Sequence, residues 1–361
     1  MSIDTRYEKT LFCAFQYNWY IDKNDSHWDA QFDNGETYEL TAGRYRSNDP
    51  DTFFRNTTQA KRAGIDCFAC SDWYGGPWYT NGGDDAFQSH STFKAYLNWL
   101  DSPQNPVPDF KAFCYWELDS APPTAANVLN LLEYHRANTF PKNSYLKKRA
   151  IYKTDGETYI DNQPVFAVYS EPVERISTYI DGVQLYEAAH PGETVYLILE
   201  ITTGWTDNAD IALVDCWHKY GIWGTSNGSK HYDSQSWIWA ANGGLTPTAY
   251  SAYDSFTVSP GGSATEDGTG LARSAAGYVA AFESLLVALA AAPENTGPSF
   301  IFITSWDEFG EKSFIAPSPD WADGDYGYPD GYYMEVTAAY AESIKGEDNR
   351  KVHKFNISDG G

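Results

Sequence analysis

The strongest constraint on the fold is a regular alternation of short apolar runs with longer amphipathic segments along the 361 residues. The short runs have the length of buried strands, and the longer segments have the apolar spacing typical of helices. This alternation favours an α/β fold, the closed (β/α)8 or TIM barrel, built as one domain with elaborated βα loops. The eight predicted strands begin near residues 11, 65, 110, 164, 194, 221, 254 and 300.

The same alternation bears on the domain organisation. A doubly wound open sheet is the alternative, but no Gly-rich phosphate loop follows the first strand, as its nucleotide-binding version would need. The segment 208–220 is predicted to be a helix that precedes the sixth strand. Because the chain has no internal repeat and no long linker, we predict a single domain over residues 1–361, with a barrel core at about 11–318 and a C-terminal extension at 319–361.

The net charge excludes two classes of partner. Acidic residues outnumber basic residues by 49 to 25, which gives a formal net charge of −24. Such a chain repels nucleic acid and anionic membrane surfaces, and no apolar run reaches the roughly 18 residues of a membrane span. We therefore expect neither a nucleic-acid nor a membrane partner, and the sequence leaves the oligomeric state open.

The cysteines and the acidic loops do not predict a metal or a cofactor. The five cysteines lie mostly within apolar runs and are predicted to be small buried hydrophobic residues. Cys67 and Cys70 form a CxxC pair, but positions three apart in a strand face opposite sides, and no second pair completes a zinc set. The Asp-rich segment 320–331 could hold Ca²⁺, but it lacks the spacing of a calcium loop and is better interpreted as a solvated lid.

Polar and aromatic residues follow the predicted strands at the point where each strand ends. In a (β/α)8 barrel these ends meet on one face, which is where catalytic residues lie. Aromatic residues make up 16% of the chain, and many lie in polar, Gly-rich stretches such as SDWYGGPWYTNGG, a pattern that suits the apolar faces and hydroxyl rims of sugars. The strand-end residues are Gln16, Asn18, Trp19, Ser71, Asp72, Trp73, Trp116, Glu117, Asp119, Tyr169, Glu171, Asp307, Glu308 and Glu311.

Glu308 and Glu311 are the strongest catalytic candidates, because they follow the final strand at a separation of three residues. If this segment turns into helical geometry, their Cβ atoms lie about 5–6 Å apart, and two carboxyl groups so close should have different pKa values. Two carboxyl groups in an aromatic cleft are the working parts of glycoside hydrolysis. The alternative is a pair of solvated loop residues.

Several of these motifs resemble one enzyme family. AKRAGIDCFACSDWYG at 60–75, VSPGG at 258–262 and, above all, ITSWDEFGEKSFIAPS at 303–318 are similar to glycoside hydrolase family 99, the endo-α-mannosidases, and to its bacterial polysaccharide-associated relatives. The likeness extends over about residues 11–318, with YNWY in the first strand and His27 and Trp28 after it. It implies a (β/α)8 barrel that cleaves α-mannosidic bonds inside a chain with retention, without metal or other cofactor.

The resemblance also implies roles for individual residues. Glu308 matches the glutamate that takes a proton from the sugar's own 2-hydroxyl, and Glu311 matches the acid that later acts as base. Glu117 matches a glutamate near the reacting sugar. This chain departs from the family pattern around the pair, which leaves the identity of the substrate in doubt. The departures are Phe309, Gly310, Lys312, Ser313 and Ala316.

The remaining predicted substrate contacts come from the strand ends and the matched motifs. Three of them have a plain alternative: Asp72 could cap the next segment, His27 could be solvated, and Arg273 could pair with a surface carboxylate. The predicted contacts are Tyr17, Trp19, His27, Trp28, Asp72, Trp73, Glu117, Tyr169, Arg273 and Trp306.

The sequence therefore predicts a retaining, endo-acting glycoside hydrolase that uses Glu308 and Glu311 on an α-linked, mannoside-like polysaccharide. The alternative is a non-catalytic glycan-binding or structural barrel on a cell or virus surface, which would need the aromatic residues but not both glutamates. No signal peptide is visible, and an extracellular, periplasmic or virion-associated location is expected in preference to a cytoplasmic one.

Overall fold

The chain folds into a nearly closed (β/α)8 barrel, as the alternation predicts. The computed structural model describes residues 10–18, 20, 45–73, 83–117, 123–169, 175–200, 213–218, 220, 255–260, 275–291, 298–307, 314–317 and 331–346. Within these residues there are nine strands and six helices. The strands are β1 (Leu11–Gln16), β2 (Cys67–Asp72), β3 (Lys111–Trp116), β4 (Lys147–Ile151), β5 (Tyr159–Val168), β6 (Tyr196–Glu200), β7 (Cys216–His218), β8 (Ser255–Val258) and β9 (Phe300–Ile303). The helices are α1 (Pro50–Arg62), α2 (Gly83–Leu100), α3 (Ala125–Asn138), α4 (Ile176–Ala189), α5 (Ala275–Ala291) and α6 (Tyr332–Lys345).

Eight of the strands run parallel, in the spatial order β7-β6-β5-β3-β2-β1-β9-β8. The two strands at the ends of this order contact each other, and the hydroxyl of Ser255 donates a hydrogen bond to the carbonyl of Trp217. These contacts bring the sheet round to a barrel. Strand β4 lies outside the ring and pairs antiparallel with the start of β5. No helix among the described residues is long and apolar enough to cross a membrane.

The sixth barrel strand lies earlier in the chain than predicted. Strand β7 occupies Cys216–His218, within the segment 208–220 that the sequence analysis assigned to a helix, while the predicted strand near residue 221 lies outside the described residues. The helix assignment was wrong here because three buried residues are too few for their periodicity to separate a strand from a helix. Pairing with β6 determines the outcome, with Leu199 opposite Trp217.

Helix α6 belongs to the layer of helices that surrounds the barrel. It contacts both α5 and α1, and the Lys345 ammonium lies 2.6 Å from a carboxylate oxygen of Asp66 and 2.9 Å from the carbonyl oxygen of Gly64. Gly64 has a φ of +78°, and a Cβ placed there would lie 2.5 Å from the Cβ of Ala341, so only glycine allows α1 to end this close to α6. Helix α6 therefore packs on the outside of the barrel, against α1 and α5.

Local signals explain where helix α1 begins and ends. The side chain of Asp49 accepts a hydrogen bond from the backbone N–H of Asp51, and Pro50 occupies the first helical position, where its missing N–H is harmless. Lys61 and Arg62 lie in the last turn, where positive charge is favourable.

All five cysteines are free and buried, as predicted.

The interior of the barrel is filled with side chains and is not a channel. Alternate residues of each strand point inward, and the aligned register places them in layers. The ring of Phe15 lies 4.7 Å from that of Tyr115 and 5.2 Å from that of Phe302, measured between centroids. His218 contacts the same three rings. This aromatic layer forms the floor beneath the carboxyl ends of the strands.

Candidate active site at the carboxyl ends of the strands

Carboxylates and aromatic rings converge above this floor. Side chains that oppose each other on neighbouring parallel strands share a face, and the pairs Ser71–Tyr115, Tyr115–Ala167 and Glu200–His218 fix which face is inward. The residues two positions further along β3 and β5 are Glu117 and Tyr169, and they therefore point into the barrel mouth. The inward residues at this end are Tyr17, Trp73, Glu117, Tyr169, Glu200, His218 and Tyr220.

Four tyrosines form a connected cluster in the mouth. The ring of Tyr169 lies 5.9 Å from Tyr115 and 5.4 Å from Tyr220, and the hydroxyls of Tyr17 and Tyr220 are hydrogen-bonded to each other. The hydroxyl of Tyr115 lies 3.2 Å from Nε2 of His218. Tyr17, Tyr115 and Tyr220 are buried, whereas Tyr169 is partly exposed. Tyr169 is therefore the member of the cluster that offers its ring to solvent.

Trp73 lies at the end of β2, on the inward side with Ser71. Its indole Nε1–H donates to the Ser71 hydroxyl at 3.1 Å, and its backbone N–H donates to the hydroxyl of Ser89 at 3.2 Å. These two bonds orient the indole, which remains partly exposed. Trp73 and Tyr169 thus supply two oriented aromatic surfaces at the mouth, one from β2 and the other from β5.

Two carboxylates flank the buried tyrosine of β3. Burial raises the pKa of Tyr115 well above its usual range, and the negative charges of Glu200 and Glu117 raise this pKa further. One carboxylate oxygen of Glu200 accepts a hydrogen bond from the backbone N–H of Tyr220 at 3.0 Å. The mouth is consequently acidic, as suits a site that binds the hydroxyl groups of an uncharged ligand.

Asp307 fixes the chain that leads out of the last strand. Its Oδ1 accepts from the backbone N–H of Tyr17 at 2.8 Å, and its Oδ2 accepts from the Tyr45 hydroxyl at 2.9 Å. Its backbone carbonyl accepts from the hydroxyl of Tyr20 at 3.0 Å. The side chain is fully buried, and burial raises the pKa of this carboxyl to about 7 against the opposing effect of the two hydrogen bonds and of Arg55.

A second set of contacts holds the chain where it returns from residues 308–313. The backbone N–H of Ile315 donates to the carbonyl of Ser305 at 3.0 Å, and that of Ala316 donates to the carbonyl of Trp306 at 3.0 Å. Phe314 and Ile315 are buried. Together with Asp307, this backbone clasp, formed by residues 305–307 and 314–316, fixes both ends of the segment at the carboxyl face.

The predicted residues divide into three groups. The structure brings together Tyr17, Trp73, Glu117 and Tyr169 at the mouth. Asp72 and Trp306 lie elsewhere. The other predicted residues lie outside the described residues: Trp19, His27, Trp28, Arg273, Glu308 and Glu311.

The prediction of a sugar contact at Asp72 was wrong because Asp72 points away from the mouth. Alternation along β2 turns it to the opposite face from Ser71 and Trp73, toward the helices. There it is fully buried, and its Oδ2 lies 2.7 Å from Nδ1 of His90 on α2.

The structure also corrects the prediction for Trp306. Its side chain is fully buried, and its ring lies 5.6 Å from Phe68. Phe68 in turn contacts Tyr96 on α2, so Trp306 packs in the layer between the sheet and the helices. It has no surface to offer a ligand and belongs to the core.

Three residues of the mouth were missed from the sequence: Glu200, His218 and Tyr220. Glu200 ends the apolar run YLILE, the same pattern that identified Glu117, and this signal could have found it. His218 and Tyr220 were hidden because their segment was assigned to a helix.

Comparison with known proteins supports the architecture. No family model and no curated protein match the chain. Among solved structures, the glycoside hydrolase family 99 endo-α-mannosidase from Bacteroides thetaiotaomicron in complex with bis-tris propane has a TM-score of 0.66 and 18% identity, with 93% of this chain and 97% of that chain covered. Another structure of the enzyme from that organism has a TM-score of 0.65 and 17% identity, with 94% and 98% covered.

A third structure, described as a glycoside hydrolase-like protein, has a TM-score of 0.57 and 14% identity, with 93% of this chain and 94% of that chain covered. All three alignments extend over nearly the whole of both chains. At these low identities the likeness concerns the fold. This chain thus shares the (β/α)8 barrel fold of family 99 endo-α-mannosidase structures along almost its entire length.

Proposed function

We propose that this protein is a retaining, endo-acting glycoside hydrolase that cleaves an α-linked, mannoside-like polysaccharide with Glu308 and Glu311. The observation that carries this proposal is the clasp, which fixes both ends of residues 308–313 beside an acidic, aromatic mouth. The fold shared with endo-α-mannosidase structures supports it. A polymeric glycan outside the cell suits an extracellular, periplasmic or virion-associated protein.

In this proposal, binding begins at the two partly exposed rings of the mouth. Trp73 and Tyr169 each offer an aromatic face to the apolar C–H surface of a sugar ring. Glu117 and Glu200 point into the same space and accept hydrogen bonds from sugar hydroxyls. Because only β3 separates β2 from β5 in the sheet, a sugar chain that contacts both rings passes along this side of the mouth, above β3.

The lengths of chain between the clasp and the two glutamates limit how far each can lie from the clasp. Glu308 follows Asp307 directly, so their Cα atoms are about 3.8 Å apart. Glu311 is three residues from Phe314, and its Cα therefore lies within about 11 Å of that buried residue. Since Asp307 is bonded to Tyr17 and Tyr45 near the mouth, these short lengths of chain are compatible with the proposed roles of both glutamates.

The chemistry then requires two steps with matched proton transfers. In the first, Glu308 takes the proton of the 2-hydroxyl, whose oxygen attacks the anomeric carbon, while Glu311 protonates the departing glycosidic oxygen. In the second, Glu311 takes a proton from water, which opens the epoxide-like intermediate at the anomeric carbon, and Glu308 returns the proton to the 2-oxygen. Two inversions at one carbon give net retention.

The test is release of reducing ends from a panel of α-linked mannans, glucans and sulfated or capsular polysaccharides. Wild type is compared with Glu308→Gln, Glu311→Gln and the control Glu157→Gln, an exposed residue before β5 at the opposite end of the barrel. We expect release by wild type and the control only, with the α-anomer formed first in NMR spectra. Equal glycan binding by all four proteins without release would instead establish a glycan-binding barrel and contradict the proposal.

A further inference from the structure

A buried group of metal-binding residues lies between the sheet and the helices, behind the mouth. Asp72 and Cys114 point outward from β2 and β3, and His135 points toward them from α3. One ligand atom from each residue lies within 4.8 Å of the others, and all three side chains are fully buried. We propose that Asp72, Cys114 and His135 bind a zinc ion that joins the two strands to helix α3.

The imidazole of His135 presents a nitrogen that lacks a partner among the described residues. Its Nδ1 is hydrogen-bonded to the hydroxyl of Thr139 at 2.9 Å, but its Nε2 is buried and has no hydrogen-bond partner. Buried nitrogens are nearly always satisfied by a protein group, a water or a metal. Because the Thr139 hydroxyl donates to the His135 carbonyl at 3.3 Å, it accepts from Nδ1–H, which leaves the lone pair of the imidazole on Nε2, where a metal can bind.

The spacing of the other two ligands suits zinc. The thiol Sγ of Cys114 lies 3.7 Å from Oδ2 of Asp72, to which it donates a hydrogen bond. A zinc ion about 2.3 Å from sulfur and about 2.0 Å from oxygen in tetrahedral geometry separates these two atoms by about 3.5 Å. The ion therefore takes the place of the thiol proton, which is released to solvent as the thiolate binds.

Charge balance favours the bound state. The Asp72 carboxylate and the Cys114 thiolate carry two negative charges, which cancel the two positive charges of Zn²⁺, and His135 is neutral. A neutral cluster is far easier to bury than an isolated charge. Mixed nitrogen, sulfur and oxygen ligands also suit zinc, whereas Ca²⁺ and Mg²⁺ require oxygen ligands throughout.

His90 holds the carboxylate of Asp72 in position. Its Nδ1 lies 2.7 Å from Oδ2 of Asp72, and its Nε2 lies 2.8 Å from the hydroxyl of Tyr134. These two contacts fix the orientation of the imidazole and, through it, of the carboxylate. Hydrogen bonds of this kind orient the ligands of metal sites from outside the coordination sphere.

The test is the zinc content of untagged protein, folded in the presence of zinc and passed through a buffer that contains a chelator. Wild type and Cys216→Ala, a variant of another buried cysteine, are expected to retain about one zinc ion per chain. Cys114→Ala and Asp72→Asn are expected to retain at least about tenfold less. Wild type without bound zinc, or the same zinc content in all variants, would overturn the proposal.

A second measurement decides the case in which the variants fail to fold. Wild-type protein refolded with Co²⁺ is expected to show near-ultraviolet thiolate-to-cobalt charge-transfer absorption, because Cys114 is a ligand. Cys216→Ala should show the same band. Cobalt that binds without this band would place the ion away from the cysteine and contradict the site.

Discussion

The two ends of the barrel both bury carboxylates, but they surround them differently. At the amino end, Asp215 contacts the Lys153 ammonium and accepts from the backbone N–H groups of Ile151 and Leu197 at 2.7 and 2.8 Å. At the carboxyl end, Asp307 accepts from the neutral donors of Tyr17 and Tyr45. Burial raises the pKa of both carboxyl groups, but a buried ammonium opposes this rise at Asp215, whereas the pKa of Asp307 is raised to about 7.

The amino end extends this pairing into a network. Glu187 of α4 is fully buried, and its carboxylate accepts from the backbone N–H groups of Lys153 and Thr154 and from the hydroxyls of Thr154 and Thr194. The Lys153 ammonium also donates to the carbonyls of Ile151 and Val195. The barrel thus has one end where buried charges are paired and another where acidic groups face the mouth, and this division can be tested.

The largest expected effect is on turnover at the carboxyl end. We expect Glu308→Gln and Glu311→Gln each to lower kcat by about 10³-fold, which corresponds to about 4 kcal/mol, because each removes a group to which the proposed mechanism assigns proton transfer. The unfolding midpoint in urea should stay at the wild-type value. Glu157→Gln is the control. If either Glu308→Gln or Glu311→Gln keeps the wild-type kcat, the carboxyl end is not the catalytic end through that residue.

The second effect is on stability at the amino end. Lys153→Met should lower the free energy of unfolding by about 3–5 kcal/mol, because it leaves the buried Asp215 carboxylate without its cation. The exposed Lys147→Met on β4 should change stability by less than about 0.5 kcal/mol. Urea denaturation followed by circular dichroism measures both. Similar values for the two variants would show that the buried pair contributes nothing special.

The third effect depends on pH and concerns Asp307. Its pKa is about 7 in the folded protein and about 3.9 in the unfolded chain, so the folded state binds the proton more tightly. Stability from this group is full below pH 4 and is lost as pH rises toward 7. Between pH 5 and 7 the unfolding free energy of wild type should fall by about 2 kcal/mol relative to Asp307→Asn, which mimics the protonated acid.

This prediction is checked by urea titrations of both proteins at intervals between pH 4.5 and 7.5. Subtracting one curve from the other cancels the other titrating groups. If the unfolding free energies of the two proteins change with pH in parallel, Asp307 has an ordinary pKa. The two ends of the barrel would then differ only in how their carboxylates are hydrogen-bonded.

The smallest effect is on substrate binding. Trp73→Ala should weaken binding of the polysaccharide by about 5- to 10-fold, or about 1 kcal/mol, because it removes one aromatic surface. Phe54→Ala, at an exposed aromatic residue of α1, is the matched control and should leave binding unchanged. Titration calorimetry with the substrate found in the panel compares the two. Equal affinities would exclude Trp73 from the binding surface.

The sequence predicts the barrel well because each buried strand is a separate apolar run that ends in polar residues. It predicts poorly which side of the sheet each of these residues points to. Asp72 and Trp73 are adjacent, yet one points to the helices and the other to the mouth, and a shift of one residue in register exchanges the two faces. The three-residue strand β7 was missed for a related reason, because a run of three residues is too short to show the apolar spacing that separates a strand from a helix.

Clusters assembled from distant elements are the hardest to predict. Asp72, Cys114 and His135 come from two strands and a helix, and no spacing in the sequence connects them. Tyr45 and Asp307 are 262 residues apart along the chain. Only the folded barrel brings such residues together, so neither the buried cluster nor the anchor at Asp307 has a signature in the sequence.

The clasp around residues 308–313 also has a consequence for how this protein could diversify. The backbone hydrogen bonds and buried side chains of the clasp lie outside the segment 308–313. The composition of this segment can therefore change while the barrel remains intact. Four of the five departures from the family pattern, Phe309, Gly310, Lys312 and Ser313, fall inside it, whereas Ala316 lies in the clasp. Substitutions within residues 308–313 can therefore change specificity at little risk to folding, because the contacts that hold the segment lie in the barrel on either side of it.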